Sequence, residues 1–220
     1  FGNRSNADLE VPDGLEDTYL NAGWTGFNTI NDEIPIGSTF TVGDFRYRVI
    51  SQNPLEVEVA NRLNGIVAIV IPETVVEPQF GETYTVTAVG NRAFRNAGIN
   101  SVVFTNTIET IKNEAFEINN LSTITLPASV TTIASEAFNL NPLTEVISQA
   151  TTAPAIQTNS INNRGNINLT VPSGSEASYV NGGWTGFFSV NGTPFIGADF
   201  SVDGFNYRIN GCCRLLHSTT

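Results

Sequence analysis

The 220 residues carry 21 Asp and Glu against 10 Lys and Arg, a net charge of −11, which leaves no basic stripe for nucleic acid and disfavours unaided attachment to an anionic membrane. Charged residues make up 14% of the chain, against about 25% in typical soluble proteins, and Asn, Thr and Ser take their place, as suits an extracellular repeat protein better than a cytosolic enzyme. No stretch reaches the roughly 18 apolar residues of a membrane-spanning helix, so direct membrane insertion is not expected.

The first fifty residues belong to a long-range repeat. Leu9-Glu-Val-Pro12, Tyr19 and Gly23-Trp-Thr-Gly-Phe27 recur, all at one constant offset, as Leu169-Thr-Val-Pro172, Tyr179 and Gly183-Trp-Thr-Gly-Phe187. Gly37, Phe40, Val42, Phe45, Tyr47 and Arg48 recur at the same offset as Gly197, Phe200, Val202, Phe205, Tyr207 and Arg208. The natural unit therefore has the length that separates Leu9 from Leu169. Residues 1–32 read as the closing cap of a preceding unit, 33–84 as an entry segment, 85–150 as short repeats, 151–190 as a closing cap and 191–210 as the start of a further unit. The N-terminal cap is expected to fold back with Trp24 buried against residues 40–70. Weak end-to-end self-association is expected through 191–210, whose strand edge would lack a neighbour.

In the entry segment, Phe40-Thr-Val-Gly-Asp-Phe-Arg-Tyr-Arg-Val makes two alternating runs about Gly43-Asp44, and the copy has Asp203-Gly204, a strong hairpin signal. Leu55, Val57 and Val59 alternate with Glu56 and Glu58, the period of a half-buried strand. Ile66, Ile69 and Ile71 follow a turn at Asn64-Gly65. The interval from Ile71 to Phe104 is half as long again as the repeat step that follows it, and the excess predicts a loop or hairpin around Pro78 to Thr87.

From Thr85 to Ala150 the chain repeats at a constant short step. Phe94, Phe116 and Phe138 form one column; Val89, Ile111, Ile133, then Ile99, Leu121, Leu143, then Val102, Ile124, Val146 form three more in the same register. Apolar columns in constant register with a period in the twenties point to a solenoid. Ile124 and Leu126 turn inward with Thr123 and Thr125 outward. Pro127, lacking an N–H, ends the pairing, and Val130 and Ile133 bring the chain back to the core. Parallel strands are predicted near 68–71, 101–104, 123–126, 145–148 and 168–171. After Leu143 the repeat decays, with Ser160 where the next Phe is due. In the closing cap Ser173, three residues before Glu176, would begin a short helix, and Trp184 and Phe187 would cover the end of the stack.

The pattern L-x-x-I-x-L-P-x-S-V-x-x-I-x-x-x-A-F, complete from Leu121 to Phe138, resembles the BspA-like leucine-rich repeats of bacterial and protist surface proteins. Ile99 to Phe116 carries it more loosely, with Phe104-Thr105 in place of Leu-Pro and Thr107-Ile108 in place of Ser-Val. Gly65 to Pro72 resembles that family's entry strand, and Leu169 to Pro172 with Tyr179 and Trp184 its closing segment. The resemblance implies a β-rich leucine-rich-repeat solenoid of short parallel strands and short helical turns, flanked by a β-hairpin entry segment and Trp-containing caps. It also implies an extracellular or cell-surface recognition role, and it supplies no catalytic residues.

The residue inventory gives catalysis little to work with. The one histidine, His217, and the two cysteines, Cys212 and Cys213, all lie in 211–220, a tail that departs from the unit and reads as foreign. No Ser-His or Cys-His pair can be placed in the repeats, and the adjacent cysteines have no metal-ligand spacing. Glu114 and Glu136 could supply the two carboxyls of a glycosidase, but they share a repeat column on a solvated face. No Gly-rich phosphate loop or spaced calcium loop occurs, so no cofactor or metal is expected. The start at Phe1 and the absence of Met read as a piece excised from something longer.

The repeat phase leaves an outward ladder of Val70, Val103, Thr125 and Ile147, flanked by Ala68, Ser101, Thr123 and Glu145. The bland account is that β-branched residues favour strands. The functional account takes Val70, Ser101, Val103, Thr123, Thr125, Glu145 and Ile147 as a partner-binding strip on a concave face. The expected function is accordingly non-enzymatic adhesion or recognition of a protein or glycan through that sheet. The alternative is a passive spacer segment of a long tandem-repeat surface filament.

Overall fold

The structure, a computed structural model, describes residues 7–12, 15–27, 29–30, 34–157, 159–194, 199–202 and 205–208. The tail 211–220, Gly197 and the Asp203-Gly204 pair lie outside them. One short repeat cannot bury its own apolar face, so successive repeats stack. Each coil gives one strand to each of two sides. On the first side Ala68–Val70 runs parallel to Ser101–Val103, while Thr123–Leu126, Glu145–Ser148, Asn168–Thr170 and Ser189–Val190 form a second parallel series. The five predicted strands are therefore parallel and in order. They do not form one sheet: the ladder is interrupted between Ser101–Val103 and Thr123–Leu126, where Asn120 N–H donates to Ile99 O at 2.8 Å.

The second side goes beyond the sequence expectation, which puts Ile133 in the core but not in a strand. Thr83–Val89, Thr110–Ile111, Thr132–Ile133 and Ala155–Ile156 make a parallel ladder. The entry segment continues it: Thr39–Val42, Phe45–Gln52 and Leu55–Arg62 are antiparallel to one another, and Leu55–Arg62 then pairs parallel with Thr83–Val89. The extra length before Phe104 forms the hairpin of Thr74–Val76 with Thr83–Val89. Leu55–Arg62 thus lies inside the sheet, with Val57 and Val59 buried as expected and Glu58 breaking the alternation. A register shift after Val57 leaves Glu58 only 2% exposed. Its carboxylate is held by Arg48 at 2.9 Å and Lys112 at 2.6 Å. Gly90 permits this, since a Cβ there would stand 3.0 Å from both Glu58 Cδ and Val59 O.

What holds the coils at a constant step is a pair of turns with left-handed residues. They fall at Arg92, Glu114, Glu136 and Asn159, and again at Asn96, Ile118, Leu140 and Asn163. Between them the backbone bonds along the stack: Phe94, Phe116 and Phe138 each donate N–H at 2.8 Å to the carbonyls of Ala115, Ala137 and Ser160. One residue past the second turn, Asn119 and Asn141 are buried. Asn119 Oδ1 accepts from Ala97 and Ile99 N–H, and its Nδ2 donates to Phe94 O and Phe116 O. Asn141 repeats this toward Leu121 N–H, Phe116 O and Phe138 O.

The decay after Leu143 is a decay of sequence and not of backbone. Thr110 pairs with Thr132 and Thr123 with Glu145, but Thr132 pairs with Ala155 and Glu145 with Asn168, a step longer by one. One residue has been inserted between Ser148 and Ala155. Ser160 therefore takes the place of Ala115 and Ala137, and the buried Ile161 takes the Phe column. The Ser160 hydroxyl, 2.7 Å from Gln157 O, is satisfied there.

The Phe column is the core of the stack. Phe94 and Phe116 lie 5.1 Å apart and Phe116 and Phe138 5.4 Å apart, both stacked, with Phe45 of the entry hairpin edge-on to Phe94 at 6.0 Å. At the turn edge, Glu114 takes a two-point bond from Arg92 at 2.8 and 2.9 Å and lies 3.0 Å from Arg95. Hydrogen bonding from the Arg92 guanidinium holds the Glu114 carboxyl below its ordinary range.

Truncating Phe116 to Ala removes the middle ring, and unfolding in urea should show a loss of about 3–5 kcal/mol. Because the Glu114 shift is downward, its contribution to stability is present above the unfolded carboxylate pKa of about 4.3. It is lost as pH falls through the lower folded value. Carbon-detected titration of Glu114 should therefore give a depressed pKa that moves back up in Arg92→Ala.

Candidate recognition surface

Strand alternation sends Ile69, Ile124, Leu126, Val146 and Leu169 into the core and leaves their neighbours outside. Of the seven strip residues expected from sequence, Val70, Ser101, Val103, Thr123 and Thr125 are exposed, and Glu145 and Ile147 are half-buried. Val70 stands opposite Val103 in one sheet, Thr123 opposite Glu145 and Thr125 opposite Ile147 in the next. The two valines are the most open aliphatics of the strip, 62% and 54% exposed.

At the interruption between the two sheets there is a cavity of about 400 Å³ lined by Val102, Val103, Phe104, Asn106, Thr125, Pro127 and Gln149. Val103 and Thr125 thus belong both to the strip and to the cavity wall. Val102, Val103, Phe104 and Pro127 supply apolar lining, and the Asn106 and Gln149 amides beside them can each donate and accept. None of these lining residues is ionisable. The contributions of Phe104, Asn106 and Gln149 are absent from the sequence expectation. The available signal was the substitution of Phe104-Thr105 for Leu-Pro in that repeat.

Glu114 and Glu136 are not arranged as an acid pair, because Glu114 is committed to Arg92 and Arg95. Among the described residues no group of three or more His, Cys, Asp or Glu is placed to hold a metal ion, and no helix is long and apolar enough to cross a membrane.

Beyond the fourth coil, helix Glu176–Asn181 begins after Ser175 and not at Ser173, with the Ser175 hydroxyl turned to Pro172 O. Tyr179 places its hydroxyl 2.6 Å from Ser148 Oγ and 2.7 Å from Ala150 O, and burial pushes that hydroxyl's pKa up. Trp184 Nε1 donates to Pro154 O at 2.8 Å, and Phe187 stacks on Trp184 at 6.0 Å. Arg164 occupies the position of Asn119 and Asn141 one coil on. Its Nε donates to Ile161 O at 3.0 Å, and its guanidinium lies 5.4 Å from the Phe187 ring centre.

The N-terminal copy has the same local structure. Asp8–Leu9 runs parallel to Thr29–Ile30 as Asn168–Thr170 does to Ser189–Val190, and helix Glu16–Asn21 matches Glu176–Asn181. Trp24, however, is 42% exposed where Trp184 is fully buried. The expected burial of Trp24 against residues 40–70 does not occur. The partner of Trp184 is the last coil, at Pro154, whereas the entry hairpin is engaged through the buried Ile34 and Pro35.

Residues 79–178 match the family described as BspA type leucine-rich repeat region, in six copies. Similar solved structures include a leucine-rich repeat protein from Bacteroides capillosus ATCC 29799, 22% identical, covering 50% of this chain and 98% of that one with a TM-score of 0.39. A leucine rich cell surface protein from Faecalibacterium prausnitzii A2-165 is 14% identical over 55% of this chain and 57% of its own, TM-score 0.24. The pneumococcal vaccine antigen PcpA is 15% identical over 79% of this chain and 54% of its own, TM-score 0.35. No curated protein matches the chain. The regular coils, the Phe column and the buried amides lie within the matched span: the repeat region of this chain, residues 79–178, belongs to the BspA-type leucine-rich repeat family.

Proposed function

We propose that the chain is a non-enzymatic recognition or adhesion module, displayed at the cell surface or outside the cell, that binds a protein partner through the outward strip. The observation that carries this reading is the exposed pair Val70 and Val103 beside a cavity whose wall includes Val103 and Thr125. Exposed aliphatic side chains beside a cavity suit a partner with apolar side chains. The glycan reading is weaker, because none of the seven strip residues is aromatic and sugar platforms rely on exposed rings. The acidic balance of the chain speaks against nucleic acid as partner.

The spacer reading is favoured by a separate observation, the recurrence of the closing structure, with Asp8–Leu9 and Thr29–Ile30 repeated as Asn168–Thr170 and Ser189–Val190. A spacer has no need of a partner on the strip. The test is a double substitution, Val70→Glu with Val103→Glu, assayed against purified extracellular proteins and a glycan array. Wild-type binding to a protein that falls at least about tenfold, with the melting temperature kept within about 2 °C, supports recognition through the strip. Binding that survives the double substitution moves the site elsewhere, glycan binding lost with it replaces the partner class, and no wild-type binding leaves the spacer.

A further inference from the structure

The two copies of the closing structure differ in what covers them. In both, the Tyr and Trp rings meet edge-on, at 5.8 Å for Tyr19 and Trp24 and 5.3 Å for Tyr179 and Trp184. In both, Phe stacks on the Trp, at 6.3 Å for Phe27 and 6.0 Å for Phe187. The aromatic cluster is therefore formed in the N-terminal copy without the coil that shields its counterpart. Trp24 is 42% exposed and Leu15 43%, while Trp184 and Ser175, at the same positions, are buried. Asp8–Leu9 belongs to a two-stranded sheet, whereas its counterpart Asn168–Thr170 is continued by Glu145–Ser148.

The C-terminal copy shows what fits this face. It is one coil's strand alongside the closing strand, a carbonyl like that of Pro154 for the indole N–H, and a hydroxyl and carbonyl like those of Ser148 and Ala150 for the tyrosine. We propose that strands Asp8–Leu9 and Thr29–Ile30, helix Glu16–Asn21 and the rings of Tyr19, Trp24 and Phe27 form a preassembled closing module whose aromatic face takes the last solenoid coil of another unit of this same kind. That coil sits where residues 145–157 sit against the C-terminal copy. The contact is heterologous, an end against an entry side, and adds units in line instead of closing a symmetric pair. It is independent of what the outward strip binds.

The test joins a second copy of residues 33–160 to Phe1 of the full chain, so that residues 1–32 follow a complete solenoid. That addition brings no tryptophan, and Trp24 and Trp184 remain the two reporters. In the unaltered chain, acrylamide should quench one tryptophan readily and spare the other, and Trp24→Ala should leave the melting temperature within about 2 °C. In the fused chain both tryptophans should be shielded with blue-shifted emission, and Trp24→Ala should lower the melting temperature by several degrees. Continued quenching of Trp24 in a fused chain whose added unit is folded by hydrogen exchange would overturn the proposal. So would an added unit that stays unfolded while the same fusion carrying 161–192 in place of 1–32 folds.

Discussion

Every turn of a solenoid leaves backbone groups pointing along the stack axis, away from any partner in the same coil. Buried and unpaired, each costs about 1–3 kcal/mol. In this chain the buried amides of Asn119 and Asn141 answer them, each joining its own coil to the one before through both its oxygen and its nitrogen. An amide reaches only its immediate neighbours, so the coils must arrive at the same height and rotation each time. The left-handed residues beside the amides, Ile118 and Leu140, are accepted at about 1–2 kcal/mol apiece for non-glycine residues. The Phe stack and both strand ladders inherit their spacing from this arrangement.

Such a device runs out at both ends. The first coil has Ala97 where the amide should be, and Arg62 of the entry segment reaches in to Ala97 O and Ile66 O. The last coil has Arg164, which serves Ile161 O and extends to Gly183 O and Thr185 O. A guanidinium offers five donors on a long stem. It can satisfy carbonyls across a junction where the regular spacing stops, and burial lowers the Arg164 pKa accordingly. The middle of the stack uses a short, close-fitting amide; the ends use a long cation.

Much of this was legible because it was periodic. Phe94, Phe116 and Phe138, and the alternation of Ile124 with Thr125, announce the core and the outward strip by spacing alone. What escaped reading was whatever broke the period or had no apolar signature. The single inserted residue between Ser148 and Ala155 disguised a fourth coil as decay, and it moved Arg164 into the place that the regular step assigns to Asn163. The shortest strands, such as Thr110–Ile111 and Thr132–Ile133, are too brief to show alternation. Glu58 looked like a solvent-facing member of an amphipathic strand, since its cover comes from Arg48 and Lys112, far away in sequence. Trp24 and Trp184 have identical local sequence, Gly-Trp-Thr-Gly-Phe, and opposite environments, a difference no window of sequence contains.

The outward strip is governed by none of these constraints. The inward residues carry the strand packing, the amides carry the axial bonds, and Val70, Val103, Thr123 and Thr125 carry neither. Substitutions there change the surface at little cost to the stack, which is the condition under which a recognition surface can diversify on a constant scaffold. The strip has one place that is not a uniform ladder, the cavity between Val103 and Thr125. It lies where the two sheets fail to join, so the depression and the interruption are one feature. Joining the sheets would gain ladder bonds and bring the walls together. The shape of the surface at this point therefore depends on hydrogen bonds that the scaffold forgoes, and the looser repeat from Ile99 to Phe116 is where the interruption falls.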